Sequence, residues 1–280
     1  MTARAAYDRA ELVARGRMVR SGDLRLFVRD LGAGTPLLLV HGYGVSHLEF
    51  RRVLEPLAKG MRVIAPDLPG HGESDAPAEY PYSYAALADT LASMLDALGL
   101  PRVALAGHSM GGAVALHLAA RHPARIDRLV LCDAACYPTR LPLLGRLALV
   151  PALGPFLFRT LYGERDLRRY FKRRVYRDAA ALDESLVAYY WSRMGEHREA
   201  SYAGLRTVAS ADGLAELLPM VKCPALVLWG EHDRIFPLAQ GERLAREIAG
   251  ARIEVFLGCG HAPAEERPEG FARAVSSFVS

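Results

Sequence analysis

Short runs of consecutive apolar residues recur along the first half of the chain, at residues 37–40, 63–65, 103–106 and 129–131. The first three runs stop abruptly at a Gly, Pro or His residue. Runs that are apolar at every position are typical of parallel strands covered by helices on both faces. Residues 24–29 show the pattern of a further strand ahead of them. The pattern therefore predicts the strands of a buried, mostly parallel sheet.

Helical patterns lie between these runs. Between Ser83, a candidate N-cap, and Gly99, apolar residues recur at spacings of three and four (Leu87, Leu91, Met94, Leu95 and Leu98). This spacing predicts an amphipathic helix that ends at Gly99 and Pro101. Residues 110–121 predict a second helix. Alternation of strands and helices is typical of a doubly wound α/β sheet.

The alternation stops after residue 134 and no strand pattern appears again before about residue 210. It resumes with predicted strands at 225–229 and 253–257 and predicted helices at 238–248 and 268–279. We therefore predict one α/β core formed by residues 1–133 and 211–280, interrupted by a helical cap, or lid, at residues 134–210.

Composition narrows the class of protein. The chain has 280 residues, of which 51% are hydrophobic and 24% charged, as in an ordinary globular protein. This excludes a disordered chain, a collagen-like fibre and a disulfide scaffold. The formal net charge of +4 is too small to indicate a nucleic-acid partner.

Cysteine usage and the apolar runs bear on localisation. The four cysteines form no CxxC pair and no cluster with zinc-finger spacing. Scattered thiols favour a reducing compartment. The first 20 residues lack the apolar segment of a signal peptide, and no apolar run is long enough to cross a membrane. We therefore expect a cytoplasmic protein without stable membrane insertion.

A G-x-S-x-G motif spans residues 107–111, between a predicted buried strand and a predicted helix. A sharp turn at this place projects the serine above the sheet, and glycines let strand and helix approach closely. The free N–H groups at the start of the helix lie where an oxyanion would form. Ser109 is therefore the candidate nucleophile.

Five segments, taken in order along the chain, resemble those of the α/β-hydrolase fold proteins. The resemblance is to the serine-nucleophile, esterase-like branch with a helical cap. The segments are HGYG at residues 41–44, DLPGHGES at 67–74, GHSMGG at 107–112, GEHD at 230–233 and GCGH at 258–261. The resemblance covers the chain except the insertion, and it implies an α/β-hydrolase fold with helices on both faces of a mostly parallel sheet.

The resemblance implies a serine triad in the chain order Ser, Asp, His. A serine hydroxyl needs a base, and the base needs an acid to orient it. His261 is the expected base and Asp233 the expected acid. Asp133, at the end of the strand after the nucleophile helix, is a competing acid, and Glu231 is another alternative.

The oxyanion hole needs two N–H donors. The backbone N–H of Met110 is expected to supply one. The backbone N–H of Tyr43 is expected to supply the other, with Gly44 as the neighbouring alternative.

Hydrolysis of a carboxylic ester through an acyl-enzyme is the expected reaction, which makes the protein a predicted carboxylesterase acting on a small-molecule ester. Ser109 stands where related haloalkane dehalogenases and epoxide hydrolases carry Asp, which disfavours their chemistry. Carbon–carbon bond hydrolases of vinylogous diketones often have Asn before the nucleophile, whereas this chain has His108. A carbon–carbon hydrolase, a lipase-like enzyme and a non-catalytic ligand-binding member remain alternatives. No nucleotide or metal motif is present, so no cofactor and no metal are expected.

Aromatic residues of the insertion and the core are the candidate substrate-binding groups: Phe156, Tyr189, Trp191 and Phe236. Packing of the cap on the core explains the same residues equally simply. Residues 164–178 hold seven basic and three acidic side chains. This segment is expected to be a solvated helix face, with attraction of anionic substrates or surfaces as the alternative.

Overall fold

The computed structural model describes residues 9–138, 147, 149–150, 153–210 and 213–280. Within these residues a single eight-stranded sheet forms the centre of the molecule. Its strands are β1 (Arg17–Ser21), β2 (Leu24–Leu31), β3 (Thr35–Val40), β4 (Met61–Pro66), β5 (Val103–His108), β6 (Ile126–Cys132), β7 (Ala225–Gly230) and β8 (Arg252–Phe256).

The spatial order of the strands is β1-β2-β4-β3-β5-β6-β7-β8. β2 pairs antiparallel with β1 and β4, and the remaining strands pair in parallel. The predicted fold class is confirmed, and every predicted strand is present, with slightly longer bounds except for β8, which is shifted by one residue. β1 was not predicted, because its exposed charged residues leave no apolar run.

Helices connect and cover the strands. They are α1 (Arg9–Ala14), α2 (Leu54–Ala58), α3 (Tyr84–Ala97), α4 (Met110–Arg121), α5 (Leu153–Thr160), α6 (Glu164–Tyr170), α7 (Glu184–Glu196), α8 (Arg198–Ala209), α9 (Leu238–Glu247), α10 (Pro263–Glu266) and α11 (Pro268–Val279). Ser83 caps α3 as predicted, because its side chain accepts a hydrogen bond from the N–H of Ala86. α4 and α11 have the predicted bounds.

Apolar residues on both faces of the sheet are buried. Leu38 and Val40 of β3 pack in a cluster with α3 and α4, whereas Leu37 and Leu39 of the same strand pack in a second cluster with α2 and α11. Side chains of a strand alternate between the two faces, so a strand covered on both sides must be apolar throughout. This explains the uninterrupted apolar runs in the sequence.

The described residues between β6 and β7 form helices α5 to α8 with short helical turns, and no strand. They share a third buried cluster, which includes Val45 and Leu48 from the loop after β3 and Ala262 from the loop after β8. The insertion therefore packs on the loops at the carboxyl ends of the strands. Residues 141–146, 148 and 151–152 of the insertion lie outside the described residues. No described helix has the length and hydropathy needed to cross a membrane.

Candidate active site

Ser109 lies in the sharp turn between β5 and α4. Its backbone has φ +53° and ψ −120°, a conformation that non-glycine residues rarely adopt. A Cβ atom at Gly107 would lie 2.2 Å from the carbonyl oxygen of Gly111, and one at Gly111 would lie 2.1 Å from that of Val40. Only glycine fits at these two positions, so the motif places strand, turn and helix in direct contact.

His261 and Asp233 are brought together by the loops after β8 and β7. The Nδ1 of His261 lies 2.7 Å from Asp233 Oδ2 and donates a hydrogen bond to it. The other carboxylate oxygen accepts from the N–H groups of Ile235 and Phe236, at 2.7 and 3.0 Å. Burial opposes the charge of Asp233, but His261 and these N–H donors outweigh it and lower the pKa of the carboxyl. This leaves the Nε2 of His261 as the proton acceptor.

The loop of His261 adjoins the nucleophile turn. The ring of His108, next to Ser109 in sequence, lies with its centroid 4.7 Å from that of His261. Ser109, Asp233 and His261 are all buried or nearly so. The three predicted catalytic residues therefore come from three neighbouring loops on one edge of the sheet.

Asp133, the competing acid, lies at the end of β6 behind Asp233. Its Oδ1 accepts from the N–H of Gly230 at 2.9 Å. Burial and the nearby charge of Asp233 hold the pKa of Asp133 well above its usual range, which favours the protonated form of this carboxyl. The carboxylate of Glu231, the other alternative acid, instead accepts a hydrogen bond from the N–H of Gly258. The geometry thus favours Asp233 as the acid.

Donor atoms of Asp133, Asp233 and His261 lie within 4.8 Å of one another, which is the spacing of a possible metal site. The Nδ1 of His261 donates to Asp233, and burial together with the charge of Asp233 favours the protonated form of Asp133. A protonated carboxyl is a poor metal ligand. The cluster therefore suits the sharing of protons better than metal coordination.

The candidate oxyanion donors flank Ser109. A Cβ atom at Gly42 would lie 3.2 Å from the Cβ of Ser109, so the turn after β3 touches the nucleophile. The N–H of Gly42 is used by Glu49 Oε2 at 3.0 Å. The N–H groups of Tyr43 and Met110 have no hydrogen-bond partner among the residues described. Both are free to bind an oxyanion.

Glu49 and His108 form a buried pair that the sequence did not predict. The Nδ1 of His108 lies 2.7 Å from Glu49 Oε1. Nothing in the pattern of the chain joins a glutamate in a loop to a histidine 59 positions later.

The four predicted substrate-binding residues are placed differently from one another. Phe236 packs edge-on against His261, with ring centroids 5.4 Å apart. Trp191 is half-buried beside Tyr162, at 6.0 Å. Tyr189 donates a hydrogen bond to Glu73 and borders a surface recess of about 170 Å³. Phe156 is 61% exposed and stands apart from the buried clusters of the described residues.

Further aromatic residues gather near the oxyanion turn. Tyr43 donates a hydrogen bond to the carbonyl oxygen of Ser201 in α8, at 2.7 Å. Phe158 and Tyr162 stack with centroids 5.6 Å apart and, with Trp191, pack against the third buried cluster beside Tyr43. We call Phe158, Tyr162 and Trp191 the aromatic row. Of these three, only Trp191 is among the four candidate substrate-binding residues predicted from the sequence.

The family model described as alpha/beta hydrolase fold matches residues 35–268. The chain belongs to the α/β-hydrolase family. The predicted resemblance is therefore confirmed, and the protein is a hydrolase fold member whose substrate is a small molecule.

Proteins similar to this chain carry two kinds of names. The 2-hydroxymuconate semialdehyde hydrolase of Pseudomonas sp. (strain CF600) is 34% identical over 282 residues, covering 95% of this chain and 94% of that protein. The 2-hydroxy-6-oxo-2,4-heptadienoate hydrolase of Pseudomonas putida is 32% identical over 274 residues, covering 95% and 96%. Among solved structures, a thermophilic esterase from Thermogutta terrifontis has a TM-score of 0.81 at 29% identity, covering 94% and 97%. The prediction of a carboxylesterase is not confirmed by these similarities, which support the carbon–carbon alternative better.

Proposed function

We propose that this protein is a serine hydrolase that cleaves the carbon–carbon bond beside the 6-oxo group of a 2-hydroxy-6-oxodienoate. The names of the most similar relatives support this substrate class, because those relatives align over nearly the whole of both chains. The observation that carries the proposal is the contact of His261 with Asp233 beside the Ser109 turn, since the reaction needs an activated nucleophile at a carbonyl carbon.

The reaction begins from the keto form of the substrate, in which the proton of the 2-hydroxyl has moved to C5. His261 Nε2 takes the proton of Ser109, and the serine oxygen attacks C6. The N–H groups of Tyr43 and Met110 bind the resulting oxyanion. Asp233, kept ionised by its three hydrogen bonds, stabilises the imidazolium.

Collapse of the tetrahedral intermediate breaks the C5–C6 bond. The electron pair of that bond passes into the conjugated 2-oxo group, and the leaving dienolate takes the proton held by His261. Water, activated by the same histidine, then hydrolyses the acyl-enzyme. The products are a 2-hydroxydienoate and a carboxylic acid, so one water is consumed and no redox change occurs.

Hydrolysis of a carboxylic ester is the second candidate function. His108, rather than Asn, precedes the nucleophile, and the half-buried aromatic row offers an apolar surface for an acyl or aryl group. The solved esterase has the same fold. The same residues would act in the same order, with an alcohol as the leaving group instead of a carbanion.

We also propose that residues 134–210 form the cap over this site. The insertion packs on Val45, Leu48 and Ala262, which belong to the loops that carry the oxyanion turn and the catalytic histidine. The residues of the aromatic row and Tyr43 pack against the same buried cluster. The cap would determine which acyl part of the substrate fits.

A comparison of two substrate series tests the proposed function. Decay of 2-hydroxy-6-oxodienoates with different 6-substituents is followed by their visible absorbance, and hydrolysis of p-nitrophenyl esters of graded chain length is measured in parallel. We expect kcat/KM for the best dienoate to exceed that for the best ester by about 10-fold or more, which is ~1.4 kcal/mol of transition-state binding. Ester turnover without dienoate turnover would instead select the second candidate.

A further inference from the structure

His108 lies between two acceptors that no single neutral form of its ring can satisfy. Its Nε2 lies 2.5 Å from the carbonyl oxygen of His261, which can only accept a hydrogen bond. Its Nδ1 faces the carboxylate of Glu49 at 2.7 Å. The contact with Glu49 is at ion-pair distance and lacks hydrogen-bond alignment, and a carboxylate this close favours the imidazolium form of the ring. Burial disfavours this charge, but Glu49 and the carbonyl oxygen outweigh burial and raise the pKa of His108.

Glu49 connects His108 to the oxyanion turn. Its second oxygen accepts from the N–H of Gly42, the residue before the candidate oxyanion donor Tyr43. Burial favours the neutral acid, but the cation of His108 and the N–H of Gly42 lower the pKa of Glu49. The two partners are thus shifted in opposite directions, as expected of a true ion pair.

Three loops that carry the reaction meet at this pair. Glu49 holds the oxyanion turn through Gly42, His108 belongs to the nucleophile turn, and the carbonyl of His261 belongs to the loop of the base. The fit leaves little room, since a Cβ atom at Gly42 would lie 3.4 Å from His108 Nδ1 and 3.6 Å from Glu49 Oε1. A displacement of one of these three loops would therefore displace the other two.

We propose that the buried Glu49–His108 ion pair positions the oxyanion donors, Ser109 and His261 relative to one another. This role rests on the proposed serine mechanism. The Nε2 of His108 is bound to the carbonyl of His261 and its Nδ1 lies against Glu49, so neither ring nitrogen faces the substrate and His108 is a positioning residue. A misplacement of about 1 Å at a reacting group costs on the order of 100-fold in rate.

Removing the carboxylate also changes the charge beside the base. In Glu49→Gln the amide can still accept from Gly42, but His108 loses the carboxylate that favours its charged form. Less positive charge then lies beside the catalytic base, so we expect the acid limb of the pH profile for labelling to move to higher pH. The charged or titratable groups that face this pair are Asp233 and His261 at His108, and His41, Cys132, Tyr176, Tyr190 and Glu265 at Glu49.

The test is the rate at which a fluorophosphonate labels Ser109, measured from pH 5 to 9 by intact mass. This reagent reacts with any activated serine, whatever the natural substrate. We expect Glu49→Gln and His108→Gln to label about 10 to 100 times more slowly than the wild type at neutral pH. The midpoint of the acid limb should also move upward in Glu49→Gln.

His47→Gln is the matched control, because His47 is an equally buried histidine paired with a carboxylate, Asp67, at 2.8 Å. We expect it to lower thermal stability without moving the acid limb. Folded Glu49→Gln and His108→Gln proteins that label at the wild-type rate with the wild-type pH profile would overturn the inference. If one variant fails to fold, the other decides. A wild type that is not labelled would instead refute the serine mechanism itself.

Discussion

Two buried carboxyl groups beside the base have pKa values shifted in opposite directions. Burial opposes the charge of Asp233, but His261 and two backbone N–H groups donate hydrogen bonds to it and favour its ionised form. Burial and the negative charge of Asp233 outweigh the hydrogen bond from the N–H of Gly230 and favour the protonated form of Asp133. We therefore expect Asp233, rather than Asp133, to act as the acid of the triad.

This difference predicts the outcome of two matched substitutions. Asp233→Asn removes the charge that stabilises the imidazolium, and kcat should fall about 10³- to 10⁴-fold. Asp133→Asn keeps the shape of the side chain and an oxygen that can accept from Gly230, and kcat should fall less than about 10-fold. Steady-state kinetics on both folded variants checks this. A larger loss of kcat in Asp133→Asn than in Asp233→Asn would show that the acid of the triad is Asp133, after β6.

The Glu49–His108 pair also predicts how stability depends on pH. The pKa of Glu49 is lowered from 4.5 in the folded state, so its contribution is present above pH 4.5 and is lost as pH falls. The pKa of His108 is raised from 6.5, so its contribution is complete below pH 6.5 and is lost as pH rises through the folded value.

The free energy of unfolding should therefore differ most between the wild type and Glu49→Gln at about pH 4.5 to 6.5. A broken buried pair costs roughly 3–5 kcal/mol, so denaturant titrations at several pH values can resolve the difference. A difference that stays constant from pH 5 to 9 would show that the pair is not charged.

At the scale of elements, the side chain of Glu266 connects the insertion to the loop that carries His261. One oxygen of Glu266, in α10, accepts from the N–H of Gly260, and the other accepts from that of Arg177 at 2.8 Å. The N–H of His261 donates to the carbonyl of Val175 at 2.7 Å. The segment after α6 and the loop after β8 are therefore fixed to each other.

Glu266→Ala should loosen this junction. It leaves at least two backbone N–H groups without their acceptor, at about 1–3 kcal/mol each where they stay buried. Glu266→Gln keeps one carbonyl oxygen and should lose only part of that stability. Thermal unfolding of the two variants shows which of them loses more stability. Equal losses of stability in both would contradict the assigned contacts.

The elements show what the sequence could predict and where it could not. Strand and helix positions follow from local patterns, so α4 and α11 were predicted to the residue. The charged strand β1 has no apolar run and depends on pairing with β2, which is a tertiary effect. Ser109, Asp233 and His261 were found through motifs. Glu49 was not, because its role arises only when three distant loops meet.

At the scale of the whole molecule, the proposed chemistry and the proposed selectivity come from different parts of the chain. Ser109, Asp233 and His261 lie in the core, as do the Tyr43 and Met110 backbone groups. The aromatic row includes Phe158, Tyr162 and Trp191 of the insertion. The kind of reaction should therefore survive changes in the insertion that alter which substrate is preferred.

Phe158→Ala and Trp191→Ala should change the relative kcat/KM within a series of substrates that differ in acyl size. A methylene in a pocket is worth about 1–3 kcal/mol, so the changes should be graded. Phe156→Ala is the control, because its side chain is 61% exposed and its loss should leave the preference unchanged. Identical profiles in all three folded variants would mean that the core loops alone form the pocket.

The most direct test of the account is turnover of a 2-hydroxy-6-oxodienoate by the wild type and by Ser109→Ala. Circular dichroism and thermal unfolding first establish that the variant is folded. The account predicts that the wild type releases a 2-hydroxydienoate and a carboxylic acid, and that Ser109→Ala retains less than about one thousandth of the wild-type kcat. Turnover by folded Ser109→Ala close to the wild-type rate would contradict it, because the carbon–carbon bond would then break without the serine nucleophile.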